Sequence, residues 1–149
     1  MLASAHHGPL RCSLARRLAL VAGLVAACAP ASSQPDAGFP ADPLTTVTSQ
    51  SGSLTLAVRT SPQPPSRGVL AVQLTVTDAS GPVDGLTITV TPWMPDHGHG
   101  ASVQPQVSAQ GSGVYLVTDV YLAMPGQWEL RLGLDGTTHD TATITLQIP

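Results

Sequence analysis

The sequence predicts an all-β fold: an immunoglobulin-like antiparallel β-sandwich of six or seven strands. One observation is that apolar residues alternate with polar residues, so that successive side chains point to opposite faces of a strand. The other is that 14 glycines and 14 prolines are spread along the 149 residues, which favours strands joined by turns over helices. The alternating runs cover residues 54–58, 70–76, 86–90, 114–122, 128–134 and 142–148.

Turn-forming segments separate the predicted strands. Proline, glycine, aspartate and serine cluster at residues 62–66, 78–82, 110–113, 124–126 and 135–136, and each of these residue types favours a tight turn. Threonine occupies many of the outward positions, which suits a pleated surface. Short strands at this spacing within roughly 100 residues are typical of a sandwich.

The composition excludes two classes of protein. The six basic residues, all arginine, stand against nine acidic ones and give a formal charge of −3, which is too little positive charge for a large nucleic-acid-binding face. The 42% of hydrophobic residues argues against a fully disordered chain.

The amino terminus has the pattern of an export signal. Residues 1–17 contain three arginines and no acid, and residues 18–27 are apolar. A basic segment followed by a short apolar one is typical of a secretory signal, and ten residues are too few to span a bilayer well. We expect residues 1–27 to be a signal helix that is removed on export.

The end of this segment resembles the lipobox of bacterial lipoproteins, in the residues Val25, Ala26, Ala27 and Cys28. The resemblance implies cleavage before Cys28 and lipidation of its thiol, so that the chain is anchored to a bacterial membrane and faces the periplasm or the exterior. Cys12 would leave with the signal, which argues against a disulfide between the two cysteines. Residues 28–51, rich in Pro, Ser and Ala, are predicted to form a flexible tether, and residues 52–149 the sandwich domain.

One segment concentrates chemically reactive side chains. Residues 91–100 contain Met94, His97 and His99, and Met124 lies in a second Met-Pro loop. Imidazole nitrogen combined with thioether sulfur suits copper, Cu(I) in particular. Two histidines separated by one residue point to the same side of an extended segment. The alternative is an ordinary surface loop with unused histidines.

Other residues near this segment keep their own alternatives. Met124 is a ligand only if its loop meets the histidine loop, and otherwise it packs against the core. His139 is either a distal ligand or a surface residue. Trp93 and Trp128 are expected to be buried, because large rings usually are.

The same residues resemble the YtkA-like/FixH-like domain family. The resemblance rests on Met94-Pro95-Asp96-His97-Gly98-His99-Gly100, on Gly113-Val114-Tyr115, and on Met124-Pro125-Gly126-Gln127-Trp128-Glu129-Leu130. It implies a small exported or membrane-attached β-sandwich, in some members associated with copper handling or with the assembly of copper oxidases. It also implies that Met94, His97, His99 and Met124 are the residues to test.

Two functions remain after an enzyme is set aside. A blue-copper site needs a cysteine ligand, and no G-x-S-x-G or other nucleophile motif is present. The first function is a lipid-anchored domain that binds copper through its Met/His loop, with a copper-donating or copper-receiving protein as its partner. The alternative is a metal-free immunoglobulin-like interaction or structural module of the cell envelope.

Overall fold

The protein, seen in a computed structural model that describes residues 38–137 and 139–149, is built from ten strands and one 3₁₀ turn. The strands are β1 (Thr45–Thr48), β2 (Thr55–Ser61), β3 (Gly68–Asp78), β4 (Gly81–Pro82), β5 (Thr87–Met94), β6 (His99–Gly100), β7 (Gln106–Gly111), β8 (Val114–Leu122), β9 (Gly126–Asp135) and β10 (His139–Ile148), and the turn is Pro95–His97.

The strands form two sheets in which all pairs are antiparallel. The larger sheet has the order β1-β2-β3-β8-β7, with β4 paired to β3, and the smaller has the order β10-β9-β5-β6. The strands β9 and β10 form a long hairpin. Their pairing is uninterrupted from the pair Gly126–Ile148 to the pair Asp135–His139. A bulge interrupts the pairing of β3 with β8 between Leu70 and Val72, where β8 carries Asp119 at a φ of 60°.

Alternation along the strands builds one core between the two sheets. Along β3 the buried residues are Leu70, Val72, Leu74 and Val76, and along β10 they are Ala142, Ile144, Leu146 and Ile148. Both sets belong to a single hydrophobic cluster. The predicted antiparallel β-sandwich is therefore confirmed. Each of the six alternating runs lies in a strand, except that Leu54 and Leu86 immediately precede β2 and β5.

Two details of the prediction are corrected. Ten strands replace the expected six or seven, because β1, β4, β6 and β7 are short or lack a clean alternation and acquire their hydrogen bonds from neighbours. The flexible tether does not extend to residue 51. Thr45–Thr48 pair with β2, and the Gln50 amide donates to the Thr141 carbonyl at 2.7 Å. The sandwich therefore begins before residue 52.

The predicted signal helix, Cys28 and the first part of the tether lie outside the described residues. Across residues 38–137 and 139–149, the structure contains no helix that is long and apolar enough to span a membrane.

Candidate metal site

The histidine loop is held by its own backbone. After β5 ends at Met94, the 3₁₀ turn runs through His97, and Gly98 follows in the left-handed conformation at φ 65°. The Gly98 amide donates to the Met94 carbonyl at 2.9 Å, so the turn closes on the strand that leads into it. Glycine suits this position because a side chain disfavours a positive φ.

The two histidines of the loop lie side by side at the surface. Their ring centroids are 5.8 Å apart with the ring planes at 69°, and both side chains are exposed. Two imidazoles that share one ion, with metal–nitrogen distances of about 2.0–2.1 Å, bring their centroids to roughly 5–6 Å. The spacing of His97 and His99 therefore fits a shared metal ion.

A backbone contact also orients His99. Its Nδ1 lies 3.0 Å from the Gly100 carbonyl oxygen, which corresponds to an Nδ1–H that donates to that carbonyl. The lone pair then resides on Nε2, the usual arrangement of a metal-binding histidine whose other nitrogen is hydrogen-bonded. His99 also pairs with Met94 across the two strands β6 and β5. This pairing fixes the backbone position from which the His99 ring extends.

Met94 lies beneath the loop, inside the core. Its side chain is only 1% exposed and ranks among the largest fully buried ones. Its methyl group lies 2.8 Å from where a β-carbon on Gly126 would stand, so the end of the Met94 side chain reaches the start of β9. Met94 therefore packs the sandwich, and its thioether faces protein rather than water.

The second Met-Pro loop lies at the same end of the sandwich. Met124 is partly buried and packs against the core cluster. The indole Nε1 of Trp128 donates to the Met124 carbonyl at 3.0 Å, which fastens this loop to β9. Since Met94 contacts Gly126, two residues beyond Met124, the two loops meet.

The two tryptophans differ from one another. Trp128 is 1% exposed and lies in the core, as predicted. The prediction for Trp93 was wrong: it is half-buried on the outer face of β5, between the buried residues Pro92 and Met94. The guanidinium of Arg131 lies over its ring at 4.8 Å, and Arg131 also pairs with Glu129 at 2.8 Å. A cation over the ring face offsets the partial exposure.

His139 is remote from the loop. His139 pairs with Asp135, the last residue of β9. Trp93, on the strand β5 that leads into the histidine loop, pairs with Glu129 near the start of β9. Six residues along a strand correspond to about 20 Å. Of the two alternatives for His139, the structure places it as a surface residue, whose Nδ1 faces the Asp135 carboxylate.

The sequence placed Gly126 only within the Met124–Leu130 motif and did not predict its packing against Met94. Its contact with Met94 comes from a cross-strand neighbour, and the Met-Pro-Gly spacing was the only local signal. In the part of the chain that the structure describes, no three side chains among His, Cys, Asp and Glu are grouped to hold a metal ion.

Comparison with known proteins places this arrangement in a family. The model of the YtkA-like family matches residues 48–133, which is more than half of the chain. The chain belongs to the YtkA-like family. The match runs from the last residue of β1 into β9 and includes Met94, His97, His99 and Met124.

Solved structures and curated proteins add little to this assignment. The YtkA-like chain is similar to the crystal structure of a DUF4426 family protein from Pseudomonas aeruginosa PAO1, with 12% identity and a TM-score of 0.49 over 65% of this chain and 91% of that one. A search of the curated proteins found no match.

Proposed function

We propose that this YtkA-like protein is a lipid-anchored domain of the cell envelope that binds copper for handling or delivery. His97 and His99 are its primary ligands, Met94 and Met124 offer thioether sulfur, and Cys28 carries the lipid. The observation that supports it most is the exposed pair of imidazoles at 5.8 Å, one of which has its Nδ1 against a backbone carbonyl.

The residues present fit a copper ion better at the surface than below it. His97 and His99 meet solvent on a loop whose backbone is closed on itself, so two nitrogen donors are available at little cost in loop ordering. Met94 is buried, and its sulfur would bind only if the side chain shifts toward the loop. Bound copper would supply a soft, exchangeable cation, and the chain's residues would hold it until a partner protein takes it over.

The arrangement supports binding rather than catalysis. The exposed position of His97 and His99 gives a partner protein direct access to them, as ligand exchange between two proteins requires. Within the described residues, the hydrogen bond of the His99 ring is made by Nδ1, to the Gly100 carbonyl. Nε2 is therefore the nitrogen that can bind a metal ion. A metal that is to be passed on is best held by few ligands at a surface.

Titration with Cu(I) under reducing conditions tests this proposal. The purified chain competes with a coloured Cu(I) chelator, and we expect one bound ion per chain. The double variant His97→Ala/His99→Ala should weaken binding at least about 100-fold, the upper end of what loss of an outer-shell partner alone costs. His139→Ala removes an exposed histidine about 20 Å away and should leave binding unchanged.

Two results would contradict the proposal. Equal Cu(I) affinity of the parent chain and the double variant excludes the histidine pair as the site. Absence of Cu(I) binding by the folded parent chain favours the metal-free interaction module instead. Met94→Leu and Met124→Leu, measured in the same titration, report whether either thioether contributes.

A further inference from the structure

The chain meets the sandwich at one corner of the larger sheet. Arg59 points outward from β2, between the buried Val58 and Thr60. Its Nε and Nη2 donate to the Ala41 carbonyl at 3.2 and 3.0 Å, and the side-chain Nε2 of Gln63 donates to the Asp42 carbonyl at 3.1 Å. These contacts bind residues 41–42 to the sheet, so the preceding chain leaves from this place.

An apolar surface lies on the same sheet. Val69, near the start of β3, is 66% exposed. Its cross-strand partner is Tyr121 on β8, which is half-buried. Among the described large hydrophobic residues, only Val69 and, to a lesser degree, Val103 are exposed. Val69 and Tyr121 therefore present an apolar pair to the solvent.

A cation adjoins this pair. Arg67 precedes Val69 by two residues, is exposed, and makes no ion pair with any described residue. Asp119 is an acid of the adjoining strand β8, and the carbonyl of Asp42 lies against the side chain of Gln63, four residues before Arg67. Four other acids occupy loops or strand ends at the opposite end: Asp78, Asp84, Asp135 and Asp140. We call Arg67, Val69 and Tyr121 the amino-terminal corner.

This set of side chains suits a bilayer surface. Arginine is attracted to anionic headgroups, tyrosine prefers the membrane–water interface, and an apolar side chain gains by burial at the acyl boundary. A protein partner would also accept Val69 and Tyr121, but the free arginine beside them favours a phosphate-rich surface.

The length of the preceding chain brings that surface within reach. Gly38 is the tenth residue after Cys28, and ten residues span at most about 35 Å. The eleven residues of β3 span about the same length, so a bilayer that holds Cys28 lies within about one length of β3 from Gly38. This step rests on the proposed lipid anchor.

We propose that the amino-terminal corner lies against the phospholipid bilayer in which Cys28 is anchored. The domain then has a fixed orientation on the membrane rather than hanging freely from it. Tyr121 precedes Met124 by three residues, so the end that bears the histidine loop is turned toward the membrane. A membrane protein is thereby the kind of partner that meets the candidate copper site.

Fluorescence of a single label on the full chain tests the orientation. An environment-sensitive probe is attached at Ser66→Cys, which is exposed beside Arg67, or at Thr143→Cys, which is exposed on the other sheet; both chains carry Cys12→Ser. The protein is reconstituted in vesicles of phosphatidylethanolamine and phosphatidylglycerol. We expect a blue shift at position 66 and none at 143.

Variants at the corner sharpen this test. Val69→Asp at an exposed position should abolish the shift at position 66, and circular dichroism checks that the fold is kept. Arg67→Gln should weaken vesicle binding about five-fold and reduce its dependence on salt. Equal probe spectra at positions 66 and 143 in vesicles overturn the proposal. So does a blue shift at 66 that grows with protein concentration without lipid, which indicates a second copy on this face.

The lipid anchor on Cys28 and the membrane contact of the amino-terminal corner can be tested independently of each other. The same labelled chains with Cys28→Ala are mixed with the same vesicles at high lipid concentration. A blue shift at position 66 that salt and Arg67→Gln reduce supports the corner even if the parent chain proves not to be lipidated. Flotation of the parent chain without any difference between the two probes supports the anchor and overturns the corner.

Discussion

The methyl group of Met94 fills the space that a β-carbon on Gly126 would need, at 2.8 Å. The contact joins the end of β5 to the start of β9 and thereby brings the two Met-Pro loops together. Gly126 also has a φ of 122°, a conformation that other residues rarely adopt. The residue therefore serves both the backbone path and the packing of Met94.

Gly126→Ala is expected to destabilise the sandwich by about 1–3 kcal/mol, through the clash with Met94 and through backbone strain. Chemical denaturation measures the loss. Gly111→Ala is the matched control, since it has a φ of 87° and no atom within 4 Å of the added carbon. If both variants lose equal stability, strain alone explains the effect. Combining Gly126→Ala with Met94→Ala should cost less than the sum of the two.

Met94 should behave as a core residue in stability measurements. Met94→Ala is expected to cost about 2–5 kcal/mol because it leaves a cavity, and Met94→Leu less than about 1.5 kcal/mol because the volume is nearly kept. Thermal unfolding of both variants checks this order. A Met94→Ala variant as stable as the parent chain would contradict the burial of this side chain.

Tyr115 links β8 to the loop before β5. Its hydroxyl donates to the Val83 carbonyl and accepts from the Leu86 amide, both at 3.0 Å. Tyr115→Phe leaves both backbone groups without this partner and is expected to cost about 1–3 kcal/mol. Tyr121→Phe, at a half-buried outer position, should change the free energy of unfolding much less. Denaturant unfolding of the two variants side by side decides the point.

Asp140 fastens β10 to the turn between β1 and β2. Hydrogen bonds from the Ser49 and Ser51 hydroxyls, and from the Thr141 and Ser51 amides, hold the pKa of the Asp140 carboxyl well below its usual range. Because this pKa is lower in the folded state, the ionised carboxylate stabilises the fold at pH values above the unfolded pKa of about 4. This contribution to the free energy of unfolding is lost as the pH falls below that value.

Asp140→Asn should therefore lower the melting temperature near neutral pH. It should also flatten the fall of the melting temperature from about pH 5 down to about pH 2. Asp42→Asn, at an exposed position, is the control. Parallel pH profiles of the parent chain and Asp140→Asn would show that the carboxylate contributes nothing through ionisation.

Cys28→Ala should release the protein from the membrane fraction of a bacterium that expresses it. The expectation follows from the resemblance of Val25-Ala26-Ala27-Cys28 to a lipobox, since acyl chains give stable anchoring. Cell fractionation with detection of the chain measures it. Continued membrane association of the variant would point to an uncleaved apolar segment.

Much of the fold was accessible from the sequence because alternation reports burial directly. Leu70, Val72, Leu74 and Val76 were predicted on one face of a strand, and all four are buried. The same logic failed for β1, where Thr45–Thr48 has little apolar contrast and becomes a strand by pairing with β2. It also failed for Trp93, whose ring size suggested burial although its position in the alternation is outward.

The candidate site was accessible only in part. The sequence shows His97 and His99 two residues apart, but an extended path was assumed for them. The structure bends that segment through a 3₁₀ turn and a left-handed Gly98 and still brings the rings to 5.8 Å. The buried position of Met94 and the remoteness of His139 depend on strand register, which no local pattern contains.

By itself, the sequence determined the all-β class, the core-facing residues of the main strands and the family, because period-two alternation and short motifs are local properties of the chain. Only the tertiary structure decided that the two Met-Pro loops meet, that Met94 is a buried packing residue, and that residues 41–42 join the sandwich at Arg59 and Gln63. The physical reason is that these relationships arise from pairing between strands distant in sequence, where register and side-chain packing, rather than local preference, set which atoms come into contact.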